Sequence, residues 1–269
     1  MTDTIAFIGG GNMARSLIGG LLREGFERDA LRACEPNLAI REGLAEDFGI
    51  ATSDSNLAVA KDAGVWVLAV KPQVMSTVLA ELGELAAQLQ PLVISIAAGV
   101  TIARIDAALG GHARVVRTMP NTPALIGAGV TGLCVNTALP AKERALVERL
   151  LGAAGATVWI EEEAQMDVVT ALSGSGPAYF FLMVEALINA GMRQGLPPAT
   201  AAILAKHTAL GAARMTIESD EPPQILRQRV TSPGGTTAAA IAALESGGFA
   251  ELVDHAVDAA TRRGRELGS

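Results

Sequence analysis

The chain has 269 residues, half of them apolar and 18% charged, with 21 basic and 28 acidic side chains for a formal net charge of −7. That balance excludes a disordered chain, and the lack of any Lys/Arg-rich stretch argues against a broad surface for nucleic acid. At roughly 100–200 residues per domain, one or two domains are expected. Met1–Gly10 has no basic stretch ahead of an apolar run, so no secretory signal is expected. The longest apolar run, Ala178–Met192, is interrupted by Glu185 and Asn189. It falls short of the roughly 20 residues a membrane span needs. Cys34 and Cys134 lie far apart and outside any C-x-x-C, which argues against a disulfide framework or a thiolate zinc site. The expected class is a soluble cytoplasmic globular protein.

Through the first half, short apolar or β-branched runs alternate with helical patterns. Strands are predicted at Thr4–Ile8, Leu31–Cys34, Val65–Val70, Leu92–Ile96, Val115–Arg117, Val130–Val135 and Thr157–Ile160. Helices are predicted at Met13–Arg23, Leu38–Asp47, Val74–Gln88, Ile102–Ala108 and Ala141–Leu150. Such alternation implies crossover units and a largely parallel sheet. Beyond about Glu163 the strand signals stop. Helices are predicted at Ala178–Arg193, Pro198–Ile217, Pro222–Val230, Thr237–Glu245 and Gly248–Glu266. The expected fold is α/β, with a dinucleotide-binding domain over 1–162 and a helical domain over 163–269. Ala178–Met192 is apolar on nearly every face, and such a helix must be covered on all sides. Either a second chain supplies part of the cover, the reading favoured here, or its own neighbours wrap it.

Ile5-Ala6-Phe7-Ile8 runs into Gly9-Gly10-Gly11-Asn12-Met13-Ala14, a G-x-G-x-x-A between a strand and a helix. Gly9 permits the tight turn, Gly11 lets backbone approach a pyrophosphate, and Ala14 lets the helix pack on the strand. The phosphate would sit on free N–H groups at the positive helix end. Strand two ends at Cys34-Glu35-Pro36-Asn37. Glu35 suits the ribose 2′-hydroxyl of NAD, while Asn37 and Arg41 could serve the 2′-phosphate of NADP. Lys71-Pro72 follows the Val65–Val70 strand, at the sheet edge where ligands bind. Lys71 is either a ligand there or an exposed lysine. Ala97-Ala98-Gly99 either lets a flat ring lie near the backbone or forms a tight turn. Met119-Pro120-Asn121-Thr122-Pro123 makes a rigid pocket wall at the same edge.

A second glycine signal, Val230-Thr231-Ser232-Pro233-Gly234-Gly235-Thr236-Thr237, joins two helices. Its hydroxyls and exposed N–H groups can hold a carboxylate without Lys or Arg. Alternatively it is a plain turn in which Thr236 or Thr237 caps the next helix. Ser173-Gly174-Ser175-Gly176-Pro177 carries the same two readings. His112, His207 and His255 are scattered, and no metal cluster, Walker loop or G-x-S-x-G elbow is present. No metal is expected.

Phe7–Ala14, Ala69–Pro72, Met119–Pro123, Leu172–Tyr179 and Val230–Thr237 together resemble pyrroline-5-carboxylate reductase, the last enzyme of proline biosynthesis. The resemblance spans nearly the whole chain in order, and Thr231–Thr237 is its most specific part. It implies a Rossmann-type domain and a helical domain that interlocks with a partner into a homodimer, often assembled further into a decamer. It implies hydride transfer from NAD(P)H to the C=N carbon of 1-pyrroline-5-carboxylate, giving L-proline. Glu163, Ser232, Gly234, Gly235, Thr236 and Thr237 would meet the substrate, with Thr237 beside the ring nitrogen as the catalytic hydroxyl. Gly9, Gly11, Asn12, Met13, Glu35, Asn56, Ala69, Lys71, Pro72, Ala97 and Ala98 would meet the cofactor. NADP(H) is the cofactor expected from family practice, with NAD(H) the alternative, because NADP-preferring members often carry Ser where this chain has Glu35. No nucleic-acid or membrane partner is expected. The alternatives are a β-hydroxyacid dehydrogenase or imine reductase and a non-catalytic nucleotide sensor. The first usually carries a lysine on the first long helix of its second domain, which Ala178–Met192 lacks, and a sensor needs no carboxylate loop.

Overall fold

The computed structural model describes residues 4–268. Met1–Asp3 and Ser269, the outer ends of the two expected domains, lie outside the described residues. The first half runs β1 Ile5–Ile8, α1 Asn12–Arg23, β2 Leu31–Cys34, α2 Leu38–Phe48, β3 Ala51–Ser53, α3 Asn56–Ala60, β4 Val65–Leu68, α4 Pro72–Leu89, β5 Leu92–Ser95, α5 Ile102–Ala108, β6 Arg114–Met119, β7 Gly129–Val135, α6 Ala141–Gly152 and β8 Gly155–Trp159. The rest runs α7 Met166–Val169, α8 Gly176–Arg193, α9 Pro198–Glu218, α10 Pro223–Arg229, α11 Thr236–Ser246 and α12 Phe249–Gly268.

The strands form one eight-stranded sheet in the order β3-β2-β1-β4-β5-β6-β7-β8. All neighbours are parallel except β6 and β7, which pair antiparallel. β1 (Ile-Ala-Phe-Ile) and β4 (Val-Trp-Val-Leu) are buried along their whole length. Helices on both faces explain that, and it is why these strands are continuous apolar runs rather than alternating ones. One core gathers Trp66, Leu68, Leu79 and Leu82; the other gathers Phe7, Leu17, Leu44 and Leu151. The chain reverses between β1 and β4, so a crevice opens at their carboxyl ends.

All seven predicted strands are present. The sequence reading missed β3, α3 and the four-residue α7. β3 is three residues, Ala-Thr-Ser, on the sheet edge, and owes its place to pairing with β2 rather than to an apolar run. α3 is five residues started by Ser55, whose hydroxyl accepts the N–H of Ala58.

By compactness the chain divides into two units. The first holds residues up to Ser175 and those from Ala260 onward; the second is Gly176–Ala259. The sequence boundary at 162/163 differs from this division, because Glu163–Ser175 and the end of α12 pack with the sheet. Asp167 lies against Gly264, and Gly132 against Val169.

In the second unit, α8 and α9 pair across the Gln194–Pro197 turn, with Gly191 closely approached by Leu196 and Ala201. The single chain leaves the apolar surface of α8 open: Phe180 is 72% exposed and Phe181 69%. Its own neighbours therefore do not wrap this helix. Helical backbone extends upstream of α8, and the stretch Glu163–Arg193 is long and apolar enough, by length and composition, to cross a membrane. It exceeds the apolar run visible in sequence because the turns before Gly176 join it.

Candidate active site

Gly9 ends β1 at φ +107°, and a Cβ there would lie 2.6 Å from the carbonyl oxygen of Ala69. Only glycine fits so close to β4 in that conformation. Gly11 caps α1, and nothing lies within 4 Å of the place its Cβ would take. No side chain caps α1, so the N–H groups of its first turn face open space beside the glycine loop. A cleft of about 470 Å³ opens here, lined by Gly9, Gly11, Glu35, Asn56, Ala69 and Lys71. This lies within the size range of small-molecule sites. The open space over Gly11 and the uncapped helix end fit a dinucleotide pyrophosphate.

Glu35 is fixed at two points: Oε2 accepts the N–H of Gly10 and Oε1 that of Asn37, each at 3.0 Å. The Asn37 side chain caps α2, accepting from Ile40 at 3.2 Å. Arg41 donates to the carbonyls of Glu35 and Pro36, and Asn56 donates to Glu81 at 2.8 Å. Cys34 is buried under the cleft. Burial pushes its thiol up to about 11, with Glu81, Glu35 and Asp54 adding to the rise and Arg41 opposing it. Lys71 caps α4 through its carbonyl; it is exposed and in no ion pair among the described residues.

The other predicted cofactor residues do not line this cleft. Asn12 is exposed and Met13 half-buried in the first turn of α1, and Pro72 is exposed at the start of α4. Ala97 is buried with its N–H on the Ser95 hydroxyl at 3.4 Å, and Ala98 is exposed beside Gly99. Sequence reasoning missed Asp54, which lines the cleft from the β3–α3 connection. Its signal was hidden because β3 itself was not recognised.

Glu163 belongs to the first unit. Its Oε1 lies 2.9 Å from Nη1 of Arg117 and accepts the N–H of Ile102 at 2.8 Å. Arg117, 7% exposed on β6, was also missed, since an arginine inside a strand gives no motif. The rigid Met119–Pro123 loop is tied down through Asn121, which donates to the Ser173 carbonyl and accepts from Val130. Ser173 sits in a π-helical turn, Thr170–Gly174, with its hydroxyl on Val169. Such turns are frequent at functional sites.

In the second unit, Gly234 takes φ +70° and the N–H of Gly235 bonds the Ser232 carbonyl at 3.0 Å. Gly235 is the N-cap of α11, so Thr236 and Thr237 occupy its first two positions. The expectation that either threonine caps this helix is corrected. The tight Ser232–Gly235 turn puts extended backbone at Gly235, one residue earlier. Ser232 and Thr236 are exposed and Thr237 half-buried; none of their hydroxyls bonds a protein group among the described residues. This loop presents hydroxyls and helix N–H groups together, an arrangement suited to a carboxylate. Among the described residues no group of His, Cys, Asp or Glu could hold a metal.

Residues 163–267 match the family model described as pyrroline-5-carboxylate reductase dimerisation. Residues 4–99 match that described as NADP oxidoreductase, coenzyme F420-dependent. The chain is 47% identical over 266 residues to a pyrroline-5-carboxylate reductase of Pseudomonas aeruginosa, covering 99% of this chain and 97% of that one. It is 43% identical to one of Haemophilus influenzae, covering 98% and 97%. The structure of a pyrroline-5-carboxylate reductase from Coxiella burnetii matches with a TM-score of 0.96 at 43% identity over all of both chains. That of Plasmodium falciparum pyrroline carboxylate reductase with NADP bound matches at 0.86 and 31%, covering 99% and 98%. With identity this high over nearly its full length, the chain belongs to the pyrroline-5-carboxylate reductase family.

Proposed function

We propose that this chain reduces 1-pyrroline-5-carboxylate to L-proline with NAD(P)H, the final step of proline biosynthesis. The observation that carries the reading is the presence, in one chain, of an open glycine cradle at the β1 edge and a Ser232–Thr237 loop with free hydroxyls. When bound, NAD(P)H supplies the hydride for the C=N carbon. The chain's own groups orient the two reactants. Gly9, Gly11 and the first turn of α1, with Asn12 and Met13, hold the pyrophosphate. Glu35 and Asn56 meet the adenosine. Ala69, Lys71 and Pro72 line the middle of the cofactor. Ala97 and Ala98 leave room for a flat ring.

Ser232, Gly234, Gly235 and Thr236 hold the substrate carboxylate. Thr237 directs its hydroxyl to the ring nitrogen, and Glu163 lines the ring pocket. The nitrogen gains one proton as the carbon gains hydride, so cyclic imine, NAD(P)H and a proton give proline and NAD(P)⁺. A hydroxyl is a poor general acid, so Thr237 positions the nitrogen rather than supplying that proton.

The apolar faces of α8 and α9 meet those of a second copy, with the helical domain of 163–269 as the dimerisation domain. Dimers assemble further into a decamer. No nucleic acid or membrane takes part, and the enzyme works in the cytoplasm. NADP(H) is the expected cofactor and NAD(H) the alternative. The test is NADPH and NADH oxidation by purified protein with and without 1-pyrroline-5-carboxylate. Oxidation that depends on the imine supports the reading; no turnover with either cofactor refutes it.

A further inference from the structure

Between α8 and α9 the helical unit carries a cavity of about 480 Å³. Phe181, Val184 and Ile188 give it apolar walls, and Glu185, Asn189 and Lys206 bring polar groups into it. By helical spacing Phe181, Glu185 and Ile188 share one face of α8, and Ile203, Lys206 and Leu210 share one face of α9. Phe181, Ile203 and Leu210 are exposed. Each charge therefore stands in the middle of an apolar stripe. Neither the Glu185 nor the Lys206 side chain has a hydrogen bond or ion pair among the described residues.

We propose that Glu185 and Lys206 close on each other across this cavity when a second copy covers it, and that the buried ion pair fixes how the two copies fit. The inference rests on the dimer forming through α8 and α9. Covering the cavity takes both charges out of water, and an isolated charge in such a place is strongly destabilising. The two side chains are opposite in sign, stand on neighbouring helices and line the same cavity, so each supplies the countercharge the other lacks. A buried pair also needs hydrogen bonds for its remaining lone pairs. Asn189, one turn beyond Glu185 on α8, has an amide to give the carboxylate. A two-fold interface repeats every contact, so the pair occurs twice per dimer and disfavours any slipped packing that separates the charges.

The experiment measures the dimer dissociation constant by sedimentation of labelled protein, with thermal unfolding of each variant alongside. It compares the natural chain with Glu185→Leu, Lys206→Met and the double variant. Each single variant leaves one charge alone in the interface and should weaken the dimer about a hundredfold or more. The double variant removes both charges at similar bulk and should return the dissociation constant to within about tenfold of the natural value. Singles that stay within about threefold of the natural chain, or dimerise more tightly, would overturn the inference, because the charges then remain in water. A double variant as weak as the sum of the singles would overturn it too. Where a single variant fails to fold, the exchanged pair Glu185→Lys with Lys206→Glu decides. It should dimerise more tightly than Glu185→Lys alone, and an exchanged pair that does not would count against the inference. Phe181→Glu separates this from the underlying reading. If it breaks the dimer while the singles do not, the dimer stands and the inference alone falls. If the natural chain is a monomer, or Phe181→Glu leaves the dimer as tight, the dimer through α8 falls and the inference with it.

Discussion

Oε1 of Glu163 accepts two donors at once, Nη1 of Arg117 at 2.9 Å and the backbone N–H of Ile102 at 2.8 Å. Nη2 of the same guanidinium lies 3.7 Å from Asp167. One buried cation from β6 therefore joins the start of α5 to the segment that leads out of the sheet. The loop Ala97–Thr101 ends at that junction, so its placement depends on the pair.

Arg117→Met keeps the bulk and leaves two carboxylates without their cation. Removing one partner of a buried pair costs about 3–5 kcal/mol, and the 29% exposure of Glu163 brings that down to about 2 kcal/mol. Denaturant unfolding of Arg117→Met, Glu163→Gln and the double variant checks this. A double variant as unstable as the sum of the singles would show that the two residues are not coupled.

Gly11 has φ −67° and ψ −177°, a conformation open to any residue, and space for a side chain. Gly11→Val should therefore cost about 1 kcal/mol of stability, the advantage of glycine over an aliphatic residue at an N-cap, and stay folded. It should also raise the cofactor KM by about tenfold or more, since the added methyls occupy the place of the pyrophosphate. Equal KM values would count against the groove.

Thr237 lies in the first turn of α11, yet the cap is Gly235 and the threonine hydroxyl bonds no described protein group. Thr237→Ala should thus leave the melting temperature nearly unchanged. Turnover should fall about 10- to 100-fold, the value of a hydrogen bond to a charged group. Thr237→Ser should retain most of the activity. A large loss of stability in Thr237→Ala would return this residue to a structural role.

Phe180 and Phe181 stand 72% and 69% exposed on α8. Sedimentation should find a dimer or larger, and Phe181→Glu should shift it to smaller species with loss of activity. A stable, active monomer of the natural chain would contradict this.

Cys34 titrates near 11 in the folded chain against an ordinary 9.0, chiefly through burial. The folded state therefore holds this proton more tightly than the unfolded one. The stability that follows is present below pH 9 and lost as pH rises toward 11. Comparing unfolding of the natural protein and Cys34→Ala over pH 8–11 isolates it. Parallel curves would show that the thiol stays out of the local field.

Much of this is legible in the sequence itself. A parallel sheet announces itself through short apolar runs separated by helical periods, and G-x-G-x-x-A after the first of them locates the crevice. β3 and α3 were not legible, because three and five residues carry no period and exist only through pairing with β2 and a serine cap. The cap of α11 also escaped. Ser232, Thr236 and Thr237 all have capping side chains, but the turn closed by the Gly235 N–H places glycine at that position.

The sequence by itself determined the strand order's raw material, the two glycine loops and the family, since those depend on local pattern and residue identity. The tertiary structure alone decided what long-range contacts decide. It placed Glu35 on the Gly10 amide and gave Glu163 the buried guanidinium of Arg117. The Glu35–Gly10 and Glu163–Arg117 pairings join residues 25 and 46 positions apart, and no local pattern encodes them. They form only when strands and helices fix the backbone geometry that brings a donor within reach of its acceptor.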